Sequence, residues 1–135
     1  MRLRSVSLGL VLFLALSSVA WAPAPEASRS WDRLGSRKVD FSVDRDAIPV
    51  TIREGTFRKI KLRVRRSAVT LRDVKIHYRN GDVQDVKIRR HIPAGGETRV
   101  IDLYGGDRVI QKVVFWYNTK PGRHRRATVE LWGRD

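Results

Sequence analysis

The chain has 135 residues, carrying 28 Lys and Arg against 14 Asp and Glu and no cysteine. That length suits one domain, and the absence of cysteine excludes disulfides, thiolate metal sites and thiol nucleophiles. The positive excess favours anionic partners over cationic ones.

Residues 1–22 read as a secretory signal peptide rather than part of the domain. Arg2 and Arg4 open it, the short apolar run "LGLVLFLAL" follows, and small residues arrive at Ser18, Ala20 and Ala22. Cleavage fits after Ala20 or Ala22. The apolar run falls well short of the ~20 residues a membrane span needs, and no later segment is apolar enough for one. Without Arg2 and Arg4, two of the 28 basic residues, the basic side still exceeds the 14 acidic residues by twelve. The expectation is a periplasmic or secreted bacterial protein with no span after cleavage. Residues 23–30 are rich in Pro, Ala and Ser and read as a flexible leader.

From Trp31 to Asp135 apolar residues recur at period two, not at helical spacing. Val39, Phe41 and Val43 form the first run. Ile48, Val50 and Ile52 form the second, with Pro49 marking an edge because proline gives a ladder no donor. Ile60, Leu62 and Val64 form the third. A long fourth run from Val69 to Tyr78 slips phase at Arg72–Asp73, as a bulge would make it do. Val86, Ile88 and Ile92 follow an Asn80-Gly81 break, then Val100 to Leu103, Val109 to Tyr117 and Thr128 to Trp132. About eight short strands predict an all-β antiparallel sandwich over residues 31–135, jelly-roll or Ig-like, ahead of a closed barrel.

At the Asn-Gly break, a two-residue turn would mix core and solvent faces. A three-residue loop pairing Ile76 with Val86 and Val74 with Ile88 keeps the apolar side together. That register sets His77 against Asp85 and Asp73 against Arg89, with Lys75 facing Lys87. Part of the outer charge then cancels, and the hairpin reads as mainly structural.

Few residues carry recognisable chemistry. His77, His91 and His124 lie far apart and match no zinc-helix spacing. "PAGGETR" and "YGGDR" open no helix and read as turns. Asp40, Asp44 and Asp46 cluster in "DFSVDRD" without the spacing of a calcium loop. The expectation is a protein that is not an enzyme, with no metal and no cofactor.

The basic segments are more informative. In "FRKIKLRVRR", Lys59, Lys61, Arg63 and Arg65 alternate with inward apolar residues, so on a strand they form a ridge of ~20 Å. Such a ridge draws in polyanions, although a charged wet face is also ordinary. "KPGRHRR" crowds Lys120, Arg123, Arg125 and Arg126 onto a second basic loop. In "VVFWY", Val113, Phe115 and Tyr117 point one way and Val114 and Trp116 the other. Trp116, with Trp132 beside it, could offer an aromatic platform, while local packing of both is the plainer expectation.

"LGSRKV" (34–39), "GGETRVIDLYGGDRVIQKVVFWY" (95–117) and "ATVELWG" (127–133) resemble a family of small exported, periplasmic bacterial proteins of unknown function, the YaaI-like proteins. The resemblance implies an exported β-rich domain and carries over no catalytic or binding residue. The functional expectation is binding of an anionic polymer through the basic strand face and loop: lipopolysaccharide phosphate, acidic polysaccharide or extracellular nucleic acid. The alternative is a periplasmic protein-interaction or structural module whose charge serves only solubility.

Overall fold

The computed structural model describes residues 30–119 and 126–135. The signal peptide, nearly all of the leader, and Lys120, Arg123 and Arg125 lie outside the described residues. Two antiparallel sheets face each other, as the period-two runs predict. The strands are β1 (Asp32–Val39), β2 (Arg45–Pro49), β3 (Lys59–Arg65), β4 (Val69–Tyr78), β5 (Val83–Val86), β6 (Arg90–Ile92), β7 (Ile101–Asp102), β8 (Ile110–Tyr117) and β9 (Ala127–Arg134). One sheet runs β1-β9-β3-β7; the other runs β2-β8-β4, with β5 and β6 sharing the far side of β4. No described helix is long and apolar enough to cross a membrane.

Alternation puts the apolar half of each strand into one continuous core. Ile60, Leu62, Val64, Val129 and Leu131 enter it from the first sheet, Val74, Ile76, Val113, Phe115 and Tyr117 from the second, and all are buried. Burying aliphatic and aromatic side chains at ~1.5–3 kcal/mol each is what replaces disulfides here. Gly133 is required by that packing: a Cβ there would stand 2.7 Å from Leu34 Cδ1 and 2.8 Å from Phe57 Cδ1.

Three expectations need correction. The first strand is Asp32–Val39, not a run through Val43. The chain leaves the sheet at Asp40, whose carboxylate accepts hydrogen bonds from the Ser42 N–H (3.0 Å) and hydroxyl (2.6 Å). Phe41 takes φ 65° there, folding its ring back into the core while Val43 is left exposed. Secondly, Ile52 belongs to a short 3₁₀ helix (Ile52–Glu54) and is exposed, whereas Pro49 does lie on edge strand β2.

The third correction concerns the hairpin register. The loop has three residues, but it takes in Arg79, Asn80 and Gly81. The Tyr78 N–H donates to the Asp82 carbonyl at 2.9 Å, and the Gly81 N–H returns to the Tyr78 carbonyl at 3.0 Å. Gly81, at φ 96°, supplies the left-handed residue such a loop needs. Val74 therefore pairs with Val86, Lys75 with Asp85, and Ile76 with Gln84. The shift from the expected register is two residues, so every side chain keeps its face. Gln84 therefore stays on the inner face with Val86, now opposite Ile76, and its amide makes three hydrogen bonds. The Tyr78 hydroxyl and the Tyr104 N–H (2.9 Å) donate to Oε1, and Nε2 donates to the Asp102 carbonyl at 3.0 Å. The bulge expected at Arg72–Asp73 is present, between Leu71 and Asp73 on the β8 side.

Candidate anion-binding groove

β3 forms as expected, and Lys59, Lys61, Arg63 and Arg65 alternate outward from it. Most of their charge is met inside the molecule, which removes the ridge as a free cationic line. Lys59 Nζ lies 2.5 Å from Asp102 Oδ1, Lys61 Nζ 3.2 Å from Glu97 Oε1, and Arg65 Nε 3.0 Å from Glu130 Oε1. Arg63 buries its Nε without a partner. Lys61 is further covered by the Trp31 ring, 4.4 Å from its ammonium. Glu130 is the hub of this face: it is buried, lies 3.6 Å from Arg33 Nε, and accepts the Trp132 indole N–H at 3.2 Å. Burial opposes its charge, but the Arg65 and Trp132 hydrogen bonds and the nearby arginines outweigh that and hold its carboxyl below the usual range.

Trp116 and Trp132 do not form one platform. Trp132 pairs with Lys61 on the outer side of the first sheet; Trp116 pairs with Arg45 and Asp73 on the outer side of the second. The core separates them. Arg126, the described member of the basic loop, is exposed just before β9.

The second outer face carries an open groove of about 780 Å³. β4 supplies Thr70, Arg72, Asp73 and Lys75. β6 and the segment before it supply Lys87, Arg89, Arg90 and His91, and the end of β8 supplies Trp116 and Asn118. Ile88 turns into the core between Lys87 and Arg89, so the two cations flank it on the solvent side. Arg72 reaches Asp44 at 3.4 Å and Lys87 reaches Asp85 at 3.3 Å, both loose and exposed. Lys75, Arg89 and Arg90 make no ion pair with a described residue. Trp116 is half-buried, with the Arg45 guanidinium and the Lys75 ammonium each 5.6 Å from its ring centre. Thr70 Oγ1 and His91 Nδ1 share a hydrogen bond of 2.8 Å.

Among the described residues, Asp73 is the one carboxyl lining this groove. Burial, then a hydrogen bond with Asp85, raises it above the usual carboxylate range, and that same bond holds Asp85 below it. One Asp73 oxygen, Oδ1, is shielded from water and has no hydrogen-bond partner. His77, further along the face, is pushed down by burial and by Lys112, Arg45 and Lys75.

The sequence had shown Lys75, Lys87 and Arg89 on the wet side, and their alternation was the available signal. Pairing Arg89 with Asp73 hid their significance. In the actual register β5 ends at Val86, so Arg89 stands free of that ladder. Arg90 and His91 were missed because β6 is a separate strand whose place beside β4 is set by tertiary pairing, and Arg72 because it lies at the β4 bulge. The acidic "DFSVDRD" cluster is dispersed: Asp40 caps its turn, Asp44 meets Arg72, and Asp46 accepts the Tyr117 hydroxyl at 2.8 Å beside Arg37 at 3.0 Å. Among the described residues no three His, Asp or Glu side chains gather as a metal would require.

Fold and site together define a two-sheet antiparallel sandwich with a cation-rimmed groove on one outer face. The chain belongs to the family described as a domain of unknown function, DUF2541, whose model matches residues 7–133. Among solved structures it is similar to AlgX from Pseudomonas aeruginosa, with a TM-score of 0.54 and 16% identity, over 77% of this chain and 27% of that one. At that identity the likeness concerns the fold alone, and this chain spans about a quarter of AlgX. No curated protein matches it.

Proposed function

We propose that this domain is an exported, non-catalytic module that binds an anionic polymer of the bacterial envelope or its surroundings. The carrying observation is the contrast in pairing: the groove presents Lys75, Arg89 and Arg90 without ion-pair partners among the described residues, beside the outward Trp116. The leader pattern and the resemblance to YaaI-like exported proteins support the periplasm or the exterior as its location. The groove takes over from the β3 ridge as the main contact surface, and Arg126 with its basic loop remains a second contact. Lipopolysaccharide phosphate, acidic polysaccharide and extracellular nucleic acid all carry the required charge.

Retention on an immobilised polyanion, read across a salt gradient, tests this. Three cation contacts predict an affinity loss of about 40-fold between roughly 50 and 200 mM salt by counterion release. Charge reversal at Lys75, Arg89 and Arg90 should remove that dependence; equal retention before and after reversal overturns the proposal. A protein-interaction or structural module is the second reading, favoured by the exposed Val83, Val100 and Tyr104. It predicts salt-insensitive capture of a protein partner that survives the same reversal.

A further inference from the structure

We infer that the free edge of β5 is a docking site for an extended, acidic peptide, which adds to the second sheet as a further strand. Its occupant does not depend on what the groove binds.

β5 ends the second sheet, with β4 on one side and no described strand on the other. The hydrogen bond from the Tyr78 N–H to the Asp82 carbonyl sets the phase of the ladder. Asp82, Gln84 and Val86 turn their backbone groups toward β4, so Val83 and Asp85 turn theirs away from it. Two N–H and two C=O groups face outward there, in the order an incoming backbone matches.

The other described edges are guarded or too short. β2 opens on Arg45 and ends on Pro49. β1 is irregular between Arg33 and Gly35 and exposes Arg37 and Lys38. β6 carries Arg90, and β7 has two residues. β5 contains no proline, lysine or arginine, and its pairing with β4 is regular. Its one charge, Asp85, is drawn to Lys87 at 3.3 Å. Exposed Val83 lies on it, and exposed Tyr104 is fixed beside it by its N–H bond to Gln84. Sheet edges left bare in this way invite another strand.

A slot of about 360 Å³ between β5 and the residues leading into β7 sets the chemistry of that strand. Its acids are already engaged, Asp102 by Lys59 and Asp85 by Lys87. Arg99 lines the same slot and makes no ion pair with a described residue. The uncompensated charge is therefore positive and complements an acidic side chain, while Val83 and Tyr104 suit apolar ones. Backbone hydrogen bonds supply affinity in strand addition, and alternate side chains supply choice. A sugar or a lipid brings no such repeating N–H and C=O groups.

The test measures binding of the purified chain to three short acetylated peptides, alternating valine with glutamate, valine with lysine, and proline with glutamate. The first should bind about tenfold tighter than either other. The lysine peptide keeps the backbone but opposes Arg99; the proline peptide keeps the acid, as any contact with the groove would require, but brings a donor at only every second residue. Binding should slow hydrogen exchange at the Val83 and Asp85 amides. Val83→Pro removes an outward N–H without touching the β4 ladder and should weaken binding about tenfold. Arg99→Glu should weaken it about threefold. Melting curves confirm folding; if Val83→Pro does not fold, Val83→Lys takes its place as an edge guard. Equal binding of the two glutamate peptides, unchanged exchange at those amides, or full affinity in the edge variant overturns the inference while the anionic-polymer reading stands. Self-association of the free chain that the edge variant abolishes also overturns it, since the occupant is then a second copy.

Discussion

The two outer faces of the sandwich carry similar numbers of cations and treat them in opposite ways. On the β1-β9-β3-β7 face, lysines and arginines are threaded between Asp102, Glu97 and a buried Glu130. On the β2-β8-β4 face, Arg89 and Arg90 stand at a groove edge without described acids to meet them. Local density of positive charge therefore identifies neither face as a binding surface. What distinguishes them is whether distant parts of the chain return a carboxylate, and over the first sheet they do so from 36 to 65 residues away.

The largest expected effect separates the faces by binding. Reversing Lys87, Arg89 and Arg90 together should reduce affinity for an immobilised polyanion by about 100-fold or more at low salt. Reversing Lys59, Lys61 and Arg65 should change it several times less, and a larger loss from the second set would erase the distinction.

Stability should show the converse. Glu130→Ala strands the Arg65 guanidinium and the Trp132 indole N–H, and should cost about 1–3 kcal/mol in urea unfolding. Arg108→Ala removes a guanidinium stacked 3.8 Å from the Tyr78 ring centre and bonded to the Tyr104 carbonyl at 2.7 Å. A loss of about 2 kcal/mol is expected there.

Acid should act on the faces with opposite sign. Glu130 has its folded pKa lowered, so its contribution is present above its ordinary value of 4.5 and is lost as pH falls through the lower folded value. Asp73 has its folded pKa raised, so its charge is a burden above that value and the burden lifts as pH falls through it. Around it stand Asp85, Lys75, Lys87, Arg72 and Arg89, of which Asp85 is the group that shares its proton. Affinity for a sulfated polymer, which stays charged in acid, should rise as pH falls through that raised value in the wild-type protein and rise less in Asp73→Asn. The smallest effect belongs to Lys87→Ala alone: its pair with Asp85 is exposed, and the melting temperature should not move measurably.

The sheets were legible because alternation is a local property: Ile60-Leu62-Val64 and Val74-Ile76 declare their inner face without reference to anything else. The hairpin register was not, because what fixes it is distant. Gln84 is drawn inward by Asp102 and Tyr104, and Asp82 is held by Asn80 and by Arg108 at 3.0 Å. Phe41 misled for a related reason: its apolar side chain reads as one more strand residue, yet it reaches the core from a corner. The groove was legible in pieces, as outward cations on one hairpin. Its assembly waited on β6 and β8 meeting β4 from opposite sides.

β9 follows every other described strand in the chain yet stands between β1 and β3. Until residues 127–134 arrive, those two have no neighbour to join them and the first sheet is two separate pieces. Such reliance on far-apart segments belongs to folds that form in milliseconds to seconds rather than microseconds. The second sheet has no such dependence, since β2, β4, β5, β6 and β8 all precede β9 in the chain.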